Sequence, residues 1–147
     1  MEPKLRQIGA IAVLLSCTSI PTPTRADITA TNANAGRGPF DACGDALDDS
    51  ARGTRAKASQ ACAASMIYYA RKLDAAKSED DLCINGLYAG SSAARYGAIL
   101  KTSMNKSGAV KVLSMADKTL RAVIANCPDE PHIVLGAKGV LGSMKTQ

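Results

Sequence analysis

The sequence predicts an all-α protein, a small disulfide-braced helical bundle of four to five helices. Three observations predict it. From Phe40 onward apolar residues recur at three- and four-residue steps, and β-branched alternation is nearly absent. Glycine, proline and polar clusters interrupt this pattern at helix-length intervals. Four cysteines, Cys43, Cys62, Cys83 and Cys127, follow a front end that reads as an export signal.

The 147 residues suit one domain, and 46% of them are apolar but only 3% aromatic, so the core must be built from small side chains. A length of this order excludes the large α/β cofactor folds. One histidine and no tryptophan leave little for a multi-histidine metal site or a base-stacking platform. No cofactor and no metal are expected.

The first segment carries Lys4 and Arg6, an apolar run from Ile8 to Leu15 that continues weakly to Ile20, and then Pro21-Thr-Pro-Thr-Arg-Ala26. A basic start, a short apolar stretch and small residues at a cut site describe a signal peptide over 1–26. The run is well short of the ~20 apolar residues of a membrane span. Leu14-Leu-Ser-Cys17 also resembles a bacterial lipobox, in which Cys17 is acylated. Cleavage after Ala26 fits better, because Leu15 is a less usual residue before the small one. Removing 1–26 takes away Lys4, Arg6, Arg25 and Glu2, so the formal net charge falls from +5 to +3. That charge is mild and evenly spread, which argues against a nucleic-acid partner. A membrane partner is expected only if Cys17 is lipidated.

Residues 27–39 are small, polar and without period, a flexible leader to a helical domain at 40–147. The first helix is predicted over about 41–51, ended by Gly53. The second runs over about 55–75, with Cys62, Met66, Tyr69, Ala70 and Leu73 on one face. Ser78-Glu-Asp-Asp81 supplies a hydroxyl cap and acids at the positive end of a third helix, which runs to about Lys101. Its small stretch Ala89-Gly-Ser-Ser-Ala-Ala94 admits close approach of another helix. Asn105 to Gly108 reads as a turn, and a fourth helix over about 112–126 ends at Pro128. Asp129 is the predicted cap of a last helix with Pro131 in its first turn and Ile133, Ala137, Val140, Leu141 and Met144 as its buried stripe.

The cysteine gaps of 19, 21 and 44 residues lack the close pairs of a zinc site, and an even number in an exported chain reads as two disulfides. Helix geometry ranks the pairings, because residues on antiparallel helices meet when they are equally far from the turn. Cys43 and Cys62 lie ten and nine residues from Gly53, and Cys83 and Cys127 each lie 22 from Asn105. Pairing Cys62 with Cys83 around a turn near 76 is offset by seven residues, or ~10 Å, against a limit of ~7 Å between Cα atoms. The predicted bridges are therefore Cys43–Cys62 and Cys83–Cys127.

No catalytic constellation is expected. Asp45, Asp48 and Asp49 share a helical face but read as a solvated face, and Glu79, Asp80 and Asp81 are accounted for by capping. His132 lies two residues after Glu130, which could orient it as a base, but no serine or cysteine nucleophile is tied to it by a motif. Gly86-Leu-Tyr-Ala-Gly90 lacks the Lys-Ser/Thr ending of a phosphate loop. The tyrosines have two roles open to them, the core itself or a protein interface. Tyr68, Tyr88, Tyr96 and His132 are the candidate partner-binding residues.

Two blocks resemble the small exported helical proteins that protect bacteria against type VI secretion effectors, the resistance-associated and amidase-immunity group. Cys83-Ile-Asn-Gly-Leu-Tyr-Ala-Gly90 resembles that group's Cys-led, glycine-bearing helical block, with one residue more. Pro128-Asp-Glu-Pro-His132, followed by Ala137, Val140, Leu141 and Met144, is similar to its junction into a later helix. Cys43 and Cys62 have no counterpart there. The resemblance implies a non-enzymatic periplasmic immunity protein that binds a delivered effector and blocks its cleft. The alternative expectation is a structural or accessory periplasmic component of an envelope or secretion system.

Overall fold

The computed structural model describes residues 38–50, 55–103 and 105–146. The expected signal peptide at 1–26, Cys17 and all but the end of the leader at 27–39 lie outside the described residues. Five helices and no strand are found among the described residues: α1 (Pro39–Ser50), α2 (Arg55–Asp74), α3 (Glu79–Thr102), α4 (Lys106–Asn126) and α5 (Pro131–Lys145). None of these is long and apolar enough to cross a membrane.

The local chemistry of the helix ends explains the boundaries. Pro39 heads α1, where its missing N–H costs nothing. Ser78 caps α3, its hydroxyl accepting the Asp81 N–H at 3.1 Å, with Glu79, Asp80 and Asp81 in the first turn. Two boundaries correct the expectation. Helix α4 starts at Lys106, six residues before the predicted onset, because the Asn105 side chain accepts the Gly108 N–H at 3.0 Å and draws Lys106 to Gly108 into the helix. Helix α5 is capped by Glu130 without a side-chain hydrogen bond, so Asp129 is not its cap, and Pro131 sets the start.

Helix α3 is the central element. It packs most extensively on α4 and α2, and α5 and α1 close over it more lightly. Small residues set how closely α3 and α4 approach. A Cβ at Gly90 would lie 2.7 Å from Leu120 Cγ, and one at Gly97 would lie 2.6 Å from Leu113 Cγ. Gly90 and Leu120 are equidistant from Asn105, as are Gly97 and Leu113, so one antiparallel register holds along the whole hairpin. Cys83 and Cys127 obey the same register.

Both predicted bridges form, with Cα separations of 4.6 Å for Cys43–Cys62 and 5.9 Å for Cys83–Cys127. Each is embedded in its own part of the core. Cys43 and Cys62 pack with Met66, Tyr96, Ile99 and Val112, while Cys83 and Cys127 pack with Leu120, Val123, Ile133 and Leu141. Val140 and Met144 of α5 touch both groups and join them. The core is alanine-rich, and two of its four buried polar residues among those described, Ser65 and Ser92, share a hydrogen bond of 2.8 Å across α2 and α3. Two disulfides in a chain of this size belong to an oxidising, exported setting.

The glycines of α5 differ from those of α3. A Cβ added at Gly139 or Gly142 meets no atom within 4 Å, although both lie in the helix interior. Their replacement by alanine removes backbone entropy from the unfolded chain without crowding anything. The double variant Gly139→Ala/Gly142→Ala is expected to gain about 1–2 kcal/mol of stability, measured by urea unfolding.

Candidate functional site

Three helices bring four of the protein's five aromatic residues into one strip. Tyr68 and Tyr69 lie near the end of α2, Tyr88 lies in the first half of α3, and Phe40 lies in the first turn of α1. Ring centroids are 5.0 Å apart for Phe40 and Tyr88, 4.9 Å for Tyr88 and Tyr69, and 5.0 Å for Tyr69 and Tyr68. The rings are tilted or edge-on rather than stacked flat, the arrangement that the aromatic quadrupole favours.

A cation stands at each end of the strip. The Arg95 guanidinium lies over Phe40, 4.1 Å from the ring centroid, and donates to the Phe40 carbonyl at 3.4 Å. The Lys72 ammonium lies 5.8 Å from the Tyr68 centroid. Burial lowers the Arg95 pKa, and the nearby carboxylates of Asp48 and Asp41 push it back up. Tyr69 is held above the usual phenol value, first by burial and then by its neighbours Tyr88, Tyr68 and Asp41. The backbone of Phe40 acts in the opposite direction on the same phenol. The Cys43–Cys62 bridge fixes α1 to α2 a turn beyond Phe40, so the strip rests on a covalently held frame.

No known family model matches this chain, and neither does any curated protein or solved structure at a significant level.

The four candidate partner-binding residues separate in space. Tyr68 is 36% exposed and Tyr88 half-buried, both within the strip. Tyr96 is only 6% exposed; it packs in the core with Met66 and Ile99, and burial raises its phenol pKa while nearby Ser59 lowers it. As a surface contact it is therefore corrected to a core residue. His132 is exposed in the first turn of α5, 3.4 Å from Glu130, and is not part of the strip. Among the described residues no group of three histidine, cysteine, aspartate or glutamate side chains is placed to hold a metal ion. Asp48 and Asp49 are exposed on α1, and Asp45 is half-buried.

Phe40, Tyr69 and Arg95 were not among the sequence-predicted site residues. The Tyr68-Tyr69 adjacency is a signal for Tyr69, since successive helical residues point only about 100° apart and two large rings can still meet. Nothing local marks Arg95, whose partner lies 55 residues earlier in the chain.

Beside the strip lies a cavity of about 500 Å³. Phe40 and Arg95 form one end of it, and Leu47 of α1, Arg55 of α2 and Val140 and Met144 of α5 wall the rest. Its α3 side carries the small side chains of Ser91, Ala94, Ala98 and Thr102 together with Ile99 and Arg95.

Proposed function

We propose that this is an exported, non-enzymatic protein that docks onto a partner protein through the Phe40–Tyr88–Tyr69–Tyr68 strip. The observation that carries this reading is the strip itself: partly exposed aromatics in mutual contact, ended by Arg95 and Lys72, on a frame cross-linked by Cys43–Cys62. Tyrosine and arginine are the residues that most often carry the energy of protein interfaces. Rings already ordered by each other and by a disulfide lose little entropy on association.

The resemblance of Cys83–Gly90 and Pro128–His132 to type VI immunity proteins supports a finer version. In it the partner is a hydrolytic effector delivered to the periplasm, and docking covers its cleft.

The test is co-purification from the periplasm with the oxidised protein as bait, followed by an activity assay of what is recovered. One hydrolase, inhibited on binding, is the expected result. Tyr68→Ala and Tyr88→Ala should each weaken that binding at least tenfold, a loss of about 1.4 kcal/mol or more, while circular dichroism stays unchanged. Recovery of an envelope assembly without inhibition would support the accessory reading in place of immunity. Binding that both tyrosine variants leave intact would remove the strip from the account.

A further inference from the structure

We propose that the cavity beside the strip binds a small amphipathic anion, a single apolar chain ending in a carboxylate. Its floor is the α3 face of Ser91, Ala94, Ala98 and Thr102, whose small side chains give it depth. From Ser91 to Thr102 that face extends about 16 Å at the helical rise of ~1.5 Å per residue, room for an extended alkyl chain. Leu47 from α1 and Val140 and Met144 from α5 supply apolar walls. A volume of about 500 Å³ with mostly apolar lining and a few polar groups is typical of small-ligand sites between helices of a bundle.

Charge selects the head group. Both ionisable residues among those described as lining the cavity are arginines, Arg55 and Arg95. The charge of Arg95 is moderated by Asp41 and Asp48, and its guanidinium already covers Phe40 and bonds that residue's carbonyl. Arg55 is different. It opens α2, whose first turn has no acidic residue, so the positive end of the helix dipole and the guanidinium reinforce each other. The Thr102 and Ser143 hydroxyls donate to the Ile99 and Val140 carbonyls of their own helices. The donors left for a ligand are the Ser91 hydroxyl and the guanidinium N–H groups, and the latter match a carboxylate in fork geometry.

The experiment is an NMR titration of the oxidised protein with decanoate, decanol and decyltrimethylammonium, each kept below its micelle threshold. Decanoate is expected to shift the amide signals of Ala94, Ala98, Thr102 and Val140 saturably. Decanol should bind about tenfold more weakly, the loss of one charge-assisted contact, and the cationic chain more weakly still. Arg55→Gln should bring decanoate down to the affinity of decanol and leave decanol unchanged. Ala98→Met, which fills the floor, should abolish both; should that variant fail to fold, the Arg55→Gln comparison decides alone. Tyr68 lies outside the cavity lining, so Tyr68→Ala should bind decanoate as the parent does, which separates this test from that of protein docking. Absence of saturable shifts at those four amides, or equal affinity for all three head groups, would overturn the proposal.

Discussion

Replacing Cys83 and Cys127 together by alanine should lower the free energy of unfolding by about 4 kcal/mol, the larger of the two disulfide effects. The bridge closes a loop with a sequence separation of 44, against 19 for Cys43–Cys62, and the chain entropy it removes from the unfolded state grows with loop length. Both sulfurs also sit in the core, since Cys83 and Cys127 are almost fully buried against Leu120, Val123, Ile133 and Leu141. Their truncation therefore adds a packing loss to the entropic one. The matching Cys43→Ala/Cys62→Ala variant should lose about 3 kcal/mol. Urea unfolding of the two variants and the parent, all without reductant, gives both differences. Net stabilities of single domains are about 5–15 kcal/mol, so either loss is a substantial share of the total.

The second large effect lies where α3 and α4 meet. Leu120 is fully buried, and Leu120→Ala should cost about 3 kcal/mol through lost transfer energy and the cavity it leaves. Gly90→Ala in the parent drives a methyl to 2.7 Å from the branch carbon of that leucine, which moves only by rotation about χ1 within a fully buried site. The overpacking, about 1–3 kcal/mol, outweighs the roughly 1 kcal/mol that alanine gains over glycine in a helix. In the Leu120→Ala background the obstruction is gone. There Gly90→Ala should become neutral or stabilising, and the two substitutions should be non-additive by about 2 kcal/mol. A double-mutant cycle by urea unfolding measures this, and additivity would mean that Gly90 and Leu120 do not share the helix contact.

The features that follow from helix regularity were legible in the sequence, and those set by side-chain contacts across helices were not. Cys83 and Cys127 could be paired because both helices of the hairpin rise uniformly from Asn105, so distance from the turn stands in for distance in space. The same reasoning placed Cys43 against Cys62. The onset of α4 was misplaced because Lys106-Ser-Gly108 has turn composition, and a single side-chain cap from Asn105 outweighs it. Tyr88 and Tyr96 illustrate the limit at the site. Both lie on α3, eight residues and about 80° apart, within one helical stripe, and periodicity does not say which neighbour covers which. Helix α1 leaves Tyr88 partly exposed beside Phe40, whereas α2 buries Tyr96 against Met66 and Ser59. The aromatic strip draws on residues near 40, 68 and 88 and exists only once three helices are assembled.

The account rests on a bundle held by two specific cross-links, with the aromatic strip carried on the frame that one of them fixes. Peptide mapping without reduction, on protein isolated from the cells that make it, tests this most directly. The prediction is Cys43 joined to Cys62, Cys83 joined to Cys127, and no free thiol at these four positions. Recovery of Cys62 linked to Cys83, or of four reduced cysteines, would contradict it.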